Sequence, residues 1–201
     1  MTMMNILVAG ATGTTGRKIM QGLVAQGHTT TALVRESSDT EGLPAETQFR
    51  EGDLTDLKPD VCEGMDAVIF AAGSGGSTGP EMTDKVDRDG AKRLIDLART
   101  EGVRKFVMLS SIGADQEEPQ GDLAHYLEAK HEADEHLRAS GLTYAILRPV
   151  ALTDDGRSAH VSVRDEVDPT ATASRADVAQ LLVEAATSNR FDNQILEMQS
   201  D

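Results

Sequence analysis

Residues Gly10-Ala11-Thr12-Gly13-Thr14-Thr15-Gly16 stand directly behind the apolar run Asn5-Ile6-Leu7-Val8-Ala9, and few folds suit that junction. A buried strand that ends in a glycine turn and opens a helix aims several backbone N–H groups, and the positive end of the helix dipole, at one spot. An anion belongs there. The spacing is Gly-x-x-Gly-x-x-Gly, which has one residue more between the first two glycines than the dinucleotide fingerprint Gly-x-Gly-x-x-Gly. Gly10, Thr12, Gly13, Thr14, Thr15 and Gly16 are therefore the first candidates for holding a phosphate group.

The chain around the loop supplies the context that such a motif requires. Ile19, Met20, Leu23 and Val24 fall at helical spacing before Gly27, which predicts a helix from about Thr14 to Gln26 and a following strand at Thr29–Val34. Strand, loop, helix and strand make one right-handed βαβ unit. Further strands are expected at Thr47–Glu51, Asp66–Ala71, Arg104–Leu109, Thr143–Leu147 and Gln194–Met198. Between them, helices are expected with Ala91, Leu94, Ile95 and Ala98 on one face and a stop at Gly102, over Asp122 to Ser140 and over Arg175 to Ala186, with a short helix or turn at Asp56 to Gly64. In the long helix, Leu123, Leu127, Ala133 and Leu137 are the apolar positions. A brief alternation at Ala159–Val163 suits an edge strand.

Alternating strands and helices predict an α/β fold, a doubly wound and mainly parallel sheet with helices on both faces. The length of 201 residues suits one domain, 1–201, with a small C-terminal extension in which residues 151–172 form substrate-facing loops. Ligands in such sheets bind beyond the C-terminal strand ends. Arg35, Asp53, Ala71 to Gly73, Ser110-Ser111 and Arg148-Pro149 all follow strands, as the glycine loop does. The glycine-rich stretch Ala72 to Pro80 is either a plain loop or a backbone surface that a ligand approaches.

Acidic residues outnumber basic ones, 34 against 19, for a formal net charge of −15. No Lys/Arg cluster longer than a pair offers the basic stripe that nucleic acid needs, so nucleic acid is excluded as a partner. No apolar run approaches the roughly 18 residues of a membrane span, and the N-terminus lacks a basic leader. A single cysteine, Cys62, removes disulfide and cysteine-rich zinc frameworks and fits a reducing compartment. The expectation is a cytoplasmic protein with a small-molecule substrate, as monomer or homodimer. His125, His131 and His136 share one helix but not one face, so no metal site is expected.

Tyr126 and Lys130 are spaced to share a helical face. A neighbouring ammonium favours the phenolate and so brings a tyrosine toward proton transfer at neutral pH. A serine can hold the same substrate oxygen while a hydride arrives from a nicotinamide. Ser110 or Ser111 could serve, since strand alternation points only one of them into the site.

These pieces together resemble an atypical or extended short-chain dehydrogenase/reductase, the NAD(P)-binding group that includes NmrA-like, biliverdin-reductase-B-like and epimerase/dehydratase-like proteins. The resemblance rests on Gly10 to Gly16, Gly52-Asp53, Ala71-Ala72-Gly73, Ser110-Ser111, Tyr126-x-x-x-Lys130, Leu147-Arg148-Pro149 and Ser174 to Ala179. It implies a Rossmann-type fold, with Asp53 at the adenine, Leu54 among the cofactor-binding residues and the backbone of Ala71, Ala72 and Gly73 beside the cofactor. It also implies cofactor contacts from Lys130 and Pro149 and a catalytic Tyr126 and Lys130.

An acidic residue after the second strand would hold the ribose hydroxyls of NAD; Val34-Arg35-Glu36 stands there instead. Arg35 can pair with a 2′-phosphate, with Arg17 nearby, so NADP is expected over NAD. Arg175 and Asp177 are expected to anchor a helix end and position a loop. Two functions follow: an NADP(H)-dependent oxidoreductase acting on a small carbonyl or hydroxyl compound, with an epimerase/dehydratase-like variant, or a non-catalytic NADP(H) sensor of the NmrA-like kind. Tyr126 and Lys130 favour the enzyme.

Overall fold

A computed structural model describes residues 2–74, 79–116, 119–158, 160–164 and 167–200, residue 164 by its backbone. Gly75, Gly76, Ser77 and Thr78 of the glycine-rich stretch, and Ala159 of the edge-strand alternation, lie outside the described residues.

The strands are β1 (Asn5–Ala9), β2 (Thr29–Val34), β3 (Gln48–Glu51), β4 (Ala67–Phe70), β5 (Lys105–Leu109), β6 (Thr143–Pro149), β7 (Ala151–Thr153), β8 (Val161–Arg164), β9 (Thr172–Ser174) and β10 (Gln194–Ser200). The helices are α1 (Thr14–Ala25), α2 (Pro80–Thr83), α3 (Ala91–Thr100), α4 (Ala124–Ala139) and α5 (Arg175–Thr187), and a π-helical segment, Asp84–Gly90, joins α2 to α3.

One eight-stranded sheet runs in the order β3-β2-β1-β4-β5-β6-β10-β8. All neighbours are parallel except β8, which lies antiparallel on β10. This is the Rossmann-type doubly wound arrangement, with its switch point between β1 and β4, where the chain leaves β1 for one side and returns on the other. β4, and β1 after Asn5, are apolar and fully buried because both faces are covered. Side chains on one face, such as Ile6, Val8 and Ile69, pack with Ile19, Leu23 and Leu182 of α1 and α5. Those on the other, Leu7, Val68, Phe70 and Phe106, pack with Leu94, Ile95 and Leu137 of α3 and α4.

Residues 59–64 form turns, one of the two forms expected for Asp56 to Gly64. Other elements depart from the sequence reading. β7 and β9 make a separate two-stranded parallel pair, too short to leave a periodic signal. Leu123 is exposed at the N-cap of α4, whose buried face is Ala129, Lys130, Ala133, Asp134 and Leu137. Two charged residues, Lys130 and Asp134, therefore lie on the core face of that helix.

Candidate functional site

The glycine loop closes tightly upon itself. Gly10 has φ +83°, and a Cβ there would stand 2.6 Å from the Ala71 carbonyl carbon, so the loop after β1 lies flat against the chain leaving β4. A Cβ on Gly16 would come within 2.0 Å of the Gly10 carbonyl oxygen. Gly13 is the N-cap of α1 and supplies no capping side chain, and no acidic residue occupies the first turn. The first-turn amides of Thr14, Thr15 and Gly16 thus keep their N–H groups for an external acceptor. Thr15 is buried, Thr12 is partly buried and Thr14 is exposed. These residues fit the pyrophosphate of a dinucleotide, which the dipole of α1 would favour.

Beyond β2 and β3 lies a cleft of about 500 Å³ lined by Arg35, Glu36, Ser37, Glu51, Gly52, Asp53, Asp56 and Lys58. Asp53 accepts hydrogen bonds from the Thr55 N–H at 2.9 Å and the Thr55 hydroxyl at 2.8 Å. Those bonds, with Arg35 adding to them, hold its carboxyl below the usual carboxylate range. Lys58, which the sequence reading did not single out, brings a second cation to this cleft. Arg17 turns elsewhere: its Nε donates to the Thr12 carbonyl at 3.0 Å and its Nη2 to the Asp39 carbonyl at 3.0 Å. It fastens the phosphate loop to the loop after β2, and is not among the residues that line the cleft. Leu54 borders an adjoining groove of about 640 Å³ between the turn after β3 and the π-helical segment. Gly90 makes that approach feasible, since a Cβ there would stand 2.8 Å from the Leu54 carbonyl oxygen.

Ala71, Ala72 and Gly73 leave β4 beside the glycine loop, and the Ser74 N–H that follows donates to Asp87 Oδ2 at 2.9 Å. Asp87 sits in the π-helical segment with no exposed surface, and its Oδ1 lies 3.0 Å from Lys130 Nζ. Lys130 Nζ also donates to the Leu109 carbonyl at 3.4 Å, and lies 5.6 Å from the Tyr126 ring centroid and 5.7 Å from that of Phe70. Burial works against its charge, but the Tyr126 oxygen and the Asp87 and Asp134 carboxylates outweigh burial and hold the amine above the usual lysine range. Tyr126 is half-buried. π-Helical turns recur at functional sites, and this one places a carboxylate between the cofactor-side loop and Lys130.

Ser110 and Ser111 have different surroundings. Ser110 is buried and donates its hydroxyl to Asp134 Oδ2 at 2.8 Å. The same carboxylate takes Arg148 Nε and Nη2, each at 3.1 Å. Ser111 is only partly buried, at the open end of β5. Pro149 is buried at the end of β6, its carbonyl accepting the Ile112 N–H at 3.0 Å, so it supports the loop that carries Ser111.

Asp177 accepts from the Ser158 N–H at 3.1 Å and the Ser200 hydroxyl at 2.8 Å, and Arg175 Nη1 meets Asp154 at 3.1 Å. The start of α5 therefore anchors the segment after β7, as expected. His125 pairs with Asp84, His131 with the Ala114 carbonyl and His136 with Asp96. Among the described residues no group of three or more His, Cys, Asp or Glu side chains is placed to hold a metal ion.

Asp87 and Asp134 were missed by the sequence reading, although a signal exists. Asp87 continues the apolar stripe Ala91, Leu94, Ile95 and Ala98 of α3, and Asp134 falls on the stripe shared by Ala133 and Leu137. A carboxylate on a core-facing stripe requires a buried partner.

Comparison with known proteins agrees with this geometry: the profile of the NAD(P)H-binding family matches residues 10–189. The chain belongs to that family. An uncharacterized sugar epimerase of Bacillus subtilis, YhfK, is 33% identical over 97% of this chain and 94% of its own. A putative NAD-dependent epimerase/dehydratase from Bacillus halodurans superposes with a TM-score of 0.91 at 31% identity, over 98% of this chain and 94% of the other. The oxidoreductase ylbE from Lactococcus lactis gives 0.86 at 29% identity, over 98% and 91%. The family is thus one of NAD(P)H-binding, oxidoreductase- and epimerase-like proteins. Among the described residues no helix is long and apolar enough to cross a membrane.

Proposed function

We propose that the chain is an NADP(H)-dependent oxidoreductase that reduces a small carbonyl compound to its alcohol, or runs the reverse reaction. The observation that carries this reading is the buried ammonium of Lys130, fixed by Asp87 beneath the Tyr126 ring at the ends of β4 and β5. A bound nicotinamide supplies the hydride. Tyr126 gives the proton to the substrate oxygen, and the charge of Lys130 favours the phenolate left behind. Ser111 holds that oxygen by a hydrogen bond; Ser110 already donates to Asp134. Asp87 is a positioning residue, because it ties Lys130 to the Ser74 amide on the cofactor side.

Preference for NADP over NAD is supported by Arg35 and Lys58 in the cleft after β2, where a 2′-phosphate would lie. In this reading one domain carries both sites, residues 151–172 form the substrate-facing wall, and the single buried thiol, Cys62, suits a reducing cytoplasm. NADPH oxidation against a panel of aldehydes and ketones tests it, with Tyr126→Phe in parallel. Turnover lost in the variant supports the assignment. Tight NADPH binding with no turnover on any compound would favour a sensor.

A further inference from the structure

We propose that the substrate is an uncharged carbonyl compound, and that carboxylate- and phosphate-bearing substrates are rejected because the basic side chains on the substrate side are already neutralised. The inference rests on the oxidoreductase reading above and adds a substrate class to it. Around the C-terminal ends of β5, β6 and β7, and at the start of α5, the described basic side chains are Lys130, Arg148, Arg157 and Arg175. Each faces a carboxylate: Lys130 meets Asp87 at 3.0 Å, Arg148 meets Asp134 at 3.1 Å, Arg175 meets Asp154 at 3.1 Å and Arg157 lies 3.8 Å from Asp177.

Two of these pairs cannot turn toward a ligand. Lys130, Asp87, Arg148 and Asp134 are all buried, and movement of either cation would strand a buried carboxylate without a counter-ion. An anion approaching any of the four would meet an acid beside the base, so Coulomb attraction is largely cancelled while hydration is still lost. The histidines of this region follow the same pattern. His125 Nε2 lies 3.0 Å from Asp84 and His131 Nδ1 lies 2.7 Å from the Ala114 carbonyl; His160 is exposed. β8 runs away from the ligand edge, with Val161 opposite Ser200 and its last residue, Arg164, opposite Glu197 in the middle of β10.

At the cofactor end Arg35 and Lys58 line a cleft that also holds Glu36, Glu51, Asp53 and Asp56, and Arg35 acts on the Asp53 carboxylate; unlike Lys130 and Arg148, Arg35 is exposed and can turn toward a ligand.

The test uses the full chain with saturating NADPH and ester/acid pairs that differ in charge: ethyl pyruvate against pyruvate, and methyl 4-formylbenzoate against 4-carboxybenzaldehyde. The ester is expected to be favoured in kcat/KM by at least about tenfold. Asp154→Asn, which releases Arg175, is expected to narrow that ratio several-fold. A ratio near one in the natural chain, or a ratio that Asp154→Asn leaves unchanged, overturns the inference. If no member of either pair is reduced, the oxidoreductase reading fails by itself, and saturation-transfer NMR on the NADPH complex decides the charge rule. The ester alone should then receive signal, and equal transfer to the acid overturns the rule.

Discussion

The carboxylate of Asp87 and the ammonium of Lys130 stand 3.0 Å apart, both buried, and the other oxygen of Asp87 accepts the Ser74 N–H at 2.9 Å. One carboxylate therefore joins the chain leaving β4 to the helix that carries Tyr126. Asp87→Asn leaves a buried charge without its counter-ion and is expected to lower stability by about 3–5 kcal/mol, with kcat falling more than KM rises. Asp87→Leu combined with Lys130→Met should recover most of that loss in urea denaturation. Simple additivity of the two single losses would show that the groups do not depend on each other.

The same pair has a pH signature. Lys130 is held above the usual lysine range despite burial, by Tyr126, Asp87 and Asp134. A raised folded-state value means that its contribution to stability is complete below the unfolded-chain value of about 10.4, and is lost as pH rises through the folded value. Urea midpoints should therefore carry no loss from this group between about pH 7 and about pH 9, and fall above roughly pH 10.4. The alkaline fall should be shallower in Lys130→Met; an equal fall would place its origin elsewhere.

Arg35 is exposed after β2 and lines the cleft with Lys58. A charge-assisted contact with a 2′-phosphate is worth about 1.5–3 kcal/mol. Arg35→Ala should therefore weaken NADPH by about 10- to 100-fold and leave NADH nearly unchanged, as read by calorimetry. Equal losses for the two cofactors would remove the 2′-phosphate assignment.

The loop glycines should separate folding from binding. A Cβ on Gly16 meets backbone at 2.0 Å, whereas on Gly13 its nearest neighbour is the Gly10 oxygen at 3.3 Å. Gly16→Ala is expected to compromise the fold, and Gly13→Ala to fold and lose dinucleotide affinity, because the added methyl stands where the pyrophosphate must approach. Thermal melts with and without NADPH check both; a Gly13→Ala protein that NADPH stabilises as well as the natural one would contradict the placement.

Much of the scaffold was legible because parallel strands covered on both faces read as apolar runs. β1 and β4 did so, and the glycine loop fixed where the ligand edge lies. The π-helical segment was not legible, since Asp84–Gly90 carries charged residues at most positions and a π turn has no apolar period of its own. The pairing of Ser110 with Asp134 and Arg148 was equally hidden. It joins β5, α4 and β6 across long sequence separations, and only their packing decides which of two adjacent serines turns inward. Arg17 shows the converse, a cation near the right loop whose guanidinium is taken up by the Thr12 and Asp39 carbonyls.

The most direct measurement is the transfer of deuterium from NADPH labelled at C4 of the nicotinamide to the carbonyl carbon of an uncharged aldehyde, followed by mass spectrometry for the natural chain and for Tyr126→Phe. The account predicts labelled alcohol from the natural chain and a rate at least about 100-fold lower in the variant, the lower end of the loss expected for a general acid. Unlabelled product, or labelled product formed equally fast without the Tyr126 hydroxyl, would contradict it.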